Sequence, residues 1–168
     1  MTTESIQPKY TPEEIIAKLQ AHPKFGSQIK PITKHQSAII SSGLEPAVVI
    51  AGAGSGKTET MSNRVLYLVA NGFATPDQIL GLTFTRKAAG ELSVRIRKRL
   101  RQLSQLPEFK HITSTSTAVT TYHSYAGKLL SEHAIRYGID ADAEPLGEAA
   151  IWQIASDVVR NWSDDSYR

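Results

Sequence analysis

The chain is expected to fold as an α/β domain, a parallel sheet with flanking helices, and three observations predict this. Short strand-like runs (Ala47–Ile50, rich in β-branched residues, then Gln78–Thr83 and Ala118–Thr121) alternate with longer segments of helical periodicity. The connections between those runs are too long for hairpins, which leaves parallel βαβ units. A glycine-rich turn joins the first run to a helical pattern, and that is the setting a phosphate-binding loop requires.

The turn reads Ala51-Gly52-Ala53-Gly54-Ser55-Gly56-Lys57-Thr58. Ala47-Val48-Val49-Ile50 before it is too short for a helix and reads as a buried strand. After it, Met61, Val65, Leu68 and Val69 recur on one helical face. Glycines let backbone N–H groups turn inward around phosphate oxygens, and the helix N-terminus adds positive potential. Lys57 would reach the β- and γ-phosphates of a nucleoside triphosphate, and the Thr58 hydroxyl would ligate Mg²⁺. The usual pattern has glycine first where this chain has Ala51, a position still at the strand end. A nucleoside triphosphate with Mg²⁺ is therefore the expected ligand, against the bland alternative of a βα turn that binds nothing.

With 168 residues, 40% hydrophobic and 21% charged, the chain can build one domain with a core, or one domain and part of another. No apolar run approaches a membrane span, and no signal-peptide pattern opens the chain. There is no cysteine, hence no disulfide framework and no thiolate metal site. A cytoplasmic location with no membrane partner is the expectation. The net charge of +3 hides an asymmetry. Arg86, Lys87, Arg95, Arg97, Lys98, Arg99 and Arg101 face the single acid Glu91, whereas residues 139–168 are acidic. A basic block beside a nucleotide site points to a polyanionic partner, and a solvated helix face competes with that reading.

In order, residues 1–30 read as an extension with one short helix. Thr11, Pro12 and Glu14 form its capping box, and Ile15, Ile16 and Leu19 its apolar face. Thr33 and Gln36 repeat the box spacing at a second helix. Gln36 either bonds back to the cap or offers its amide to an adenine edge. Asn71-Gly72 closes the helix after the loop. A helix from about Ala88 to Leu103 buries Ala89, Leu92, Ile96, Leu100 and Leu103 and turns Arg95, Lys98 and Arg99 outward. The strand Ala118–Thr121 leads through Tyr122-His123-Ser124-Tyr125 into a helix ending at Gly138, and another is expected from Leu146 to Trp162. Ligands of such sheets bind at the carboxyl ends of strands, where Gly52–Thr58, Thr83–Lys87 and Thr121–His123 all fall.

Three segments together resemble the superfamily 1A DNA helicases of the UvrD/Rep/PcrA type. The loop Ala51–Thr58 resembles that family's first motif. The segment Leu82-Thr83-Phe84-Thr85-Arg86-Lys87-Ala88-Ala89-Gly90-Glu91-Leu92, with Arg95, resembles its single-strand-binding motif, and Thr121-Tyr122-His123-Ser124-Tyr125 the next DNA-contacting one. Ile32–Gln36 is similar to its upstream glutamine motif, which favours the adenine role for Gln36. The wording of the middle segments is most similar to actinobacterial members, including those fused to a RecB-type nuclease. A nuclease domain or partner subunit is a companion that this wording leaves open.

The resemblance covers residues 31–138 and implies a RecA-like motor domain 1A, incomplete here, with residues 139–168 beginning the helical insertion 1B. It implies an ATP-dependent helicase moving 3′→5′ in DNA repair or recombination, on single-stranded DNA or a single-strand/duplex junction. Phe84 would stack on bases, which is tolerant of sequence, or else sit in the core. Thr85, Arg86, Lys87, Arg95, Thr121 and His123 would hold the backbone, with an Arg95–Glu91 pair as the bland alternative for Arg95. The family hydrolyses ATP with an apolar strand ending in Asp-Glu and with an arginine of a second domain. No such strand occurs in this sequence. The expectation is the N-terminal part of a longer helicase, which binds ATP but turns it over poorly without the remaining domains. A stand-alone nucleotide- and DNA-binding module without catalysis is the alternative, and a P-loop kinase a weaker one.

Overall fold

A computed structural model describes residues 7–140, 143 and 146–162. The chain forms two compact units, Met1–Tyr125 and Ala126–Arg168, and the division falls inside a helix.

The first unit is α/β. Helix α1 (Pro12–Gln20) starts at the Thr11–Glu14 capping box, both halves of which are made. A 3-10 turn at Gly26–Gln28 follows, then α2 (Lys34–Ile40), capped by Thr33 and Gln36. Helix α3 (Lys57–Ala70) springs from the glycine-rich turn, and Gly72 (φ 72°) takes the left-handed position just beyond its end. Strand β1 (Leu80–Thr83), helix α4 (Arg86–Leu103) and strand β2 (Ala118–Thr121) form a βαβ unit. The strands pair in parallel, from Leu80 opposite Ala118 to Thr83 opposite Thr121. Gly81 lies under α4, where an added Cβ would meet Val119 at 3.3 Å and Leu92 at 3.7 Å.

The core lies among the helices. Ile15 and Leu19 of α1, Leu66 of α3, Leu100 and Leu103 of α4, and Phe109 are almost wholly buried. Residues 1–30, read as an extension, thus supply part of the same core. In α3, Val65 and Val69 are buried as their period requires, but Met61 stays exposed and Tyr67 is buried instead. All five apolar positions expected of α4 are buried. Two polar devices fix the helices. The Asn71 amide donates to the carbonyls of Tyr10 and Tyr67, and its oxygen accepts from the Tyr10 N–H at 2.8 Å. The Arg64 guanidinium donates to the carbonyls of Ile40, Ser42 and Gly43, closing the end of α2.

One expectation fails. Ala47–Ile50 is irregular rather than a strand, with Val48 and Ile50 88% and 95% exposed. A strand exists only by pairing its N–H and C=O groups with a neighbour. Here β1 and β2 pair with each other, and no described segment pairs with residues 47–50.

The second unit holds most of α5 (Tyr122–His133), a 3-10 turn at Ala134–Tyr137 and α6 (Glu148–Asn161). Gly138 (φ 65°) ends the turn, as its left-handed conformation allows. Helix α6 exposes Ile151, Trp152, Ile154, Val158 and Val159. Among the described residues no helix is long and apolar enough to cross a membrane.

Candidate nucleotide and nucleic-acid sites

The glycine-rich loop combines left-handed glycines with an uncapped helix end, an arrangement suited to an anion. Gly54 (φ 77°) and Gly56 (φ 85°) are left-handed, a conformation costly to any residue with a Cβ. Gly56 is also the N-cap of α3, and no side chain caps that end. The N–H groups of the first turn are therefore left for an anion. The Lys57 ammonium folds over the loop, donating to the carbonyls of Ala51 (2.9 Å) and Gly52 (2.7 Å). An ammonium has three donors, so this arrangement leaves one for a phosphate oxygen. Thr58 lies exposed beside it in the first turn of α3. These residues fit a nucleoside triphosphate with its cation, although the loop enters from an irregular segment instead of a strand.

Gln36 reaches this loop from α2. Its Oε1 accepts from the Thr33 N–H (3.0 Å), and its Nε2 donates to the Ser55 carbonyl (3.3 Å). Both ends of the amide are engaged, one by the cap and one by the phosphate loop. Pairing with an adenine edge would require it to exchange these bonds for new ones.

The second cluster follows from strand register. Because Thr83 and Thr121 lie opposite each other in a parallel pair, the segments after β1 and β2 emerge side by side. The Phe84 ring is 87% exposed, which removes the core alternative, and lies 5.3 Å from the Tyr122 ring. Thr85 caps α4 by accepting from the Ala88 N–H (3.1 Å), and Arg86 and Lys87 lie exposed in its first turn. His123 is exposed. Thr121 is buried instead, its hydroxyl donating to Ser124 Oγ (2.9 Å) and accepting from the Ser124 N–H. In this conformation it shapes the start of α5 and presents little to a ligand.

Arg95 does not pair with Glu91. It bonds Glu59 (2.8 Å), and Arg99 takes the other oxygen of the same carboxylate. Glu59 follows Thr58 directly on α3, and a partner on another helix cannot be read from i,i+4 spacing. Burial pushes the Glu59 carboxyl up, but the Arg99 and Arg95 hydrogen bonds and charges outweigh it and hold the group below its ordinary value. Arg99, expected outward, is accordingly buried. The phosphate loop's helix is thus tied to the helix that carries Arg86 and Lys87. Sequence reasoning missed Glu59 and Arg64, and no local pattern marks either residue.

Comparison with protein families matches residues 32–166 to the UvrD/REP helicase N-terminal domain. The "ATP-dependent DNA helicase PcrA" of Staphylococcus epidermidis (strain RP62A) is 29% identical over 140 residues, 83% of this chain and 18% of the relative. The protein of that name from Staphylococcus aureus (strain Mu50) is 29% identical over 131 residues, 78% of this chain and 17% of the relative. The chain therefore spans less than a fifth of the length of these relatives. With most of its residues inside the matched region, it belongs to the UvrD/REP helicase N-terminal domain family.

Proposed function

We propose that this chain is the ATP- and single-stranded-DNA-binding first part of an ATP-dependent DNA helicase. The observation that supports this most is the exposed Phe84 ring beside Tyr122 at the joined ends of β1 and β2, next to exposed Arg86 and Lys87. An exposed aromatic flanked by cations suits stacked bases with a held backbone. The uncapped α3 N-terminus, Gly52–Gly56 and Lys57 would hold the triphosphate, Thr58 would face Mg²⁺, and Gln36 would turn to the adenine edge. Bound ATP supplies the free energy of hydrolysis. The carboxylates and the arginine that hydrolysis needs would come from the remaining helicase domains of the full-length protein.

The reading extends to 3′→5′ movement on single strands or a single-strand/duplex junction, in repair or recombination in the cytoplasm. The wording of Thr85–Gly90 and Thr121–Leu129 points us to the actinobacterial branch, with a nuclease domain or partner subunit. Lys57→Ala in the full-length protein should abolish ATP hydrolysis while single-stranded DNA binding, read by fluorescence anisotropy, stays near wild type. Unchanged turnover in that variant would remove the site assignment.

A further inference from the structure

The cations of α4 divide into two sets. Arg95 and Arg99 share the Glu59 carboxylate, which offsets one of their two charges and ties both side chains to α3. Arg97 and Arg101, also one turn apart, stay exposed, and no described carboxylate forms an ion pair with either. Like charges at this spacing destabilise a helix. They line a trough of about 610 Å³ whose other wall is the Lys24–Gln28 segment. Lys24 enters from that wall, and Lys98 lies across the trough with its ammonium on Gln28 Oε1 (3.1 Å). No carboxylate lines the trough, while Phe25 and Val94 give it apolar sides. The wall is held by close backbone packing, since a Cβ on Gly26 would come within 1.9 Å of the Gln20 carbonyl oxygen. Four cations around one concave, carboxylate-free surface concentrate positive potential there.

We propose that this trough is a second nucleic-acid contact, holding the phosphate backbone of a strand whose bases stack at Phe84. The proposal rests on the DNA-binding reading and adds a site outside the segments that carry it. Arg101 lies about 22 Å along α4 from Arg86, at 1.5 Å per residue. A strand of a few nucleotides on Phe84 covers at most the near end of the trough, whereas a longer one runs its full length. The contact is electrostatic and carries no sequence preference.

The test uses the full-length protein with Lys24→Gln, Arg97→Gln and Arg101→Gln combined. Binding is measured against salt for single-stranded oligonucleotides of about 4 and about 16 nucleotides, the span of known single-strand site sizes. Phe84→Ala and the charge-keeping pair Arg97→Lys, Arg101→Lys are run in parallel. Expected for the triple variant is unchanged binding of the short oligonucleotide and a salt slope for the long one shallower by about 2, at about 0.7 per lost phosphate contact. The lysine pair should keep the wild-type slope, and Phe84→Ala should weaken both lengths. A triple variant with wild-type slope on the long oligonucleotide overturns the trough, while weakening by Phe84→Ala would leave the DNA-binding reading standing. Wild-type protein that binds neither length overturns both.

Discussion

Glu59 shows how much one side chain can couple. It sits one residue after Thr58 and holds both Arg95 and Arg99, so the helix that follows the glycine-rich loop and the helix bearing Arg86 and Lys87 share one carboxylate. Glu59→Gln should destabilise the fold by about 1 kcal/mol, a value discounted because the pair is only half-buried. Urea unfolding reads this as a lower midpoint at neutral pH. The sign follows from the depressed folded-state value. The contribution is complete above the ordinary carboxylate range and is lost as pH falls through the lower folded-state value. Wild type and variant should converge in stability in acid, and a gap that widens below pH of about 4 would contradict this assignment. Asn71 is the second such residue. Asn71→Ala removes three buried or half-buried bonds and strands the Tyr10 backbone, at a cost of about 1–3 kcal/mol in the same assay. A change within a few tenths of a kcal/mol would mean that Tyr10 finds water or another partner.

At the scale of elements, Gly26 makes a sharp prediction. Gly26→Ala drives a Cβ into the end of α1, so the Lys24–Gln28 wall must move, at about 1–3 kcal/mol. A variant of wild-type stability would show that the turn is not held against α1. The helices were legible because their signals are local. The α4 period named all five of its buried apolar positions, capping boxes marked the starts of α1 and α2, and Asn71-Gly72 marked the end of α3. Strand β2 was legible to the residue, and β1 was shortened by the 3-10 turn at Pro76–Gln78. Ala47–Ile50 was not, because composition reports a preference for strand but not the presence of a partner. The candidate site divides in the same way. Glycine and lysine spacing announced the loop, whereas the Glu59 pairs, the burial of Thr121 and the engaged amide of Gln36 depend on which elements meet.

For the molecule as a whole, the α/β unit presents the glycine-rich loop with its uncapped helix and the Phe84–Tyr122 pair with its cations. Val48 and Ile50 stay uncovered, as does the apolar face of α6. The central claim is that nucleotide and single-stranded DNA both act on this chain as parts of one motor. Its most direct measurement is the ATP hydrolysis rate of the full-length protein with and without single-stranded DNA. The account predicts low hydrolysis that rises at least several-fold with single-stranded DNA and disappears in Lys57→Ala. Hydrolysis indifferent to DNA and surviving that substitution would contradict it.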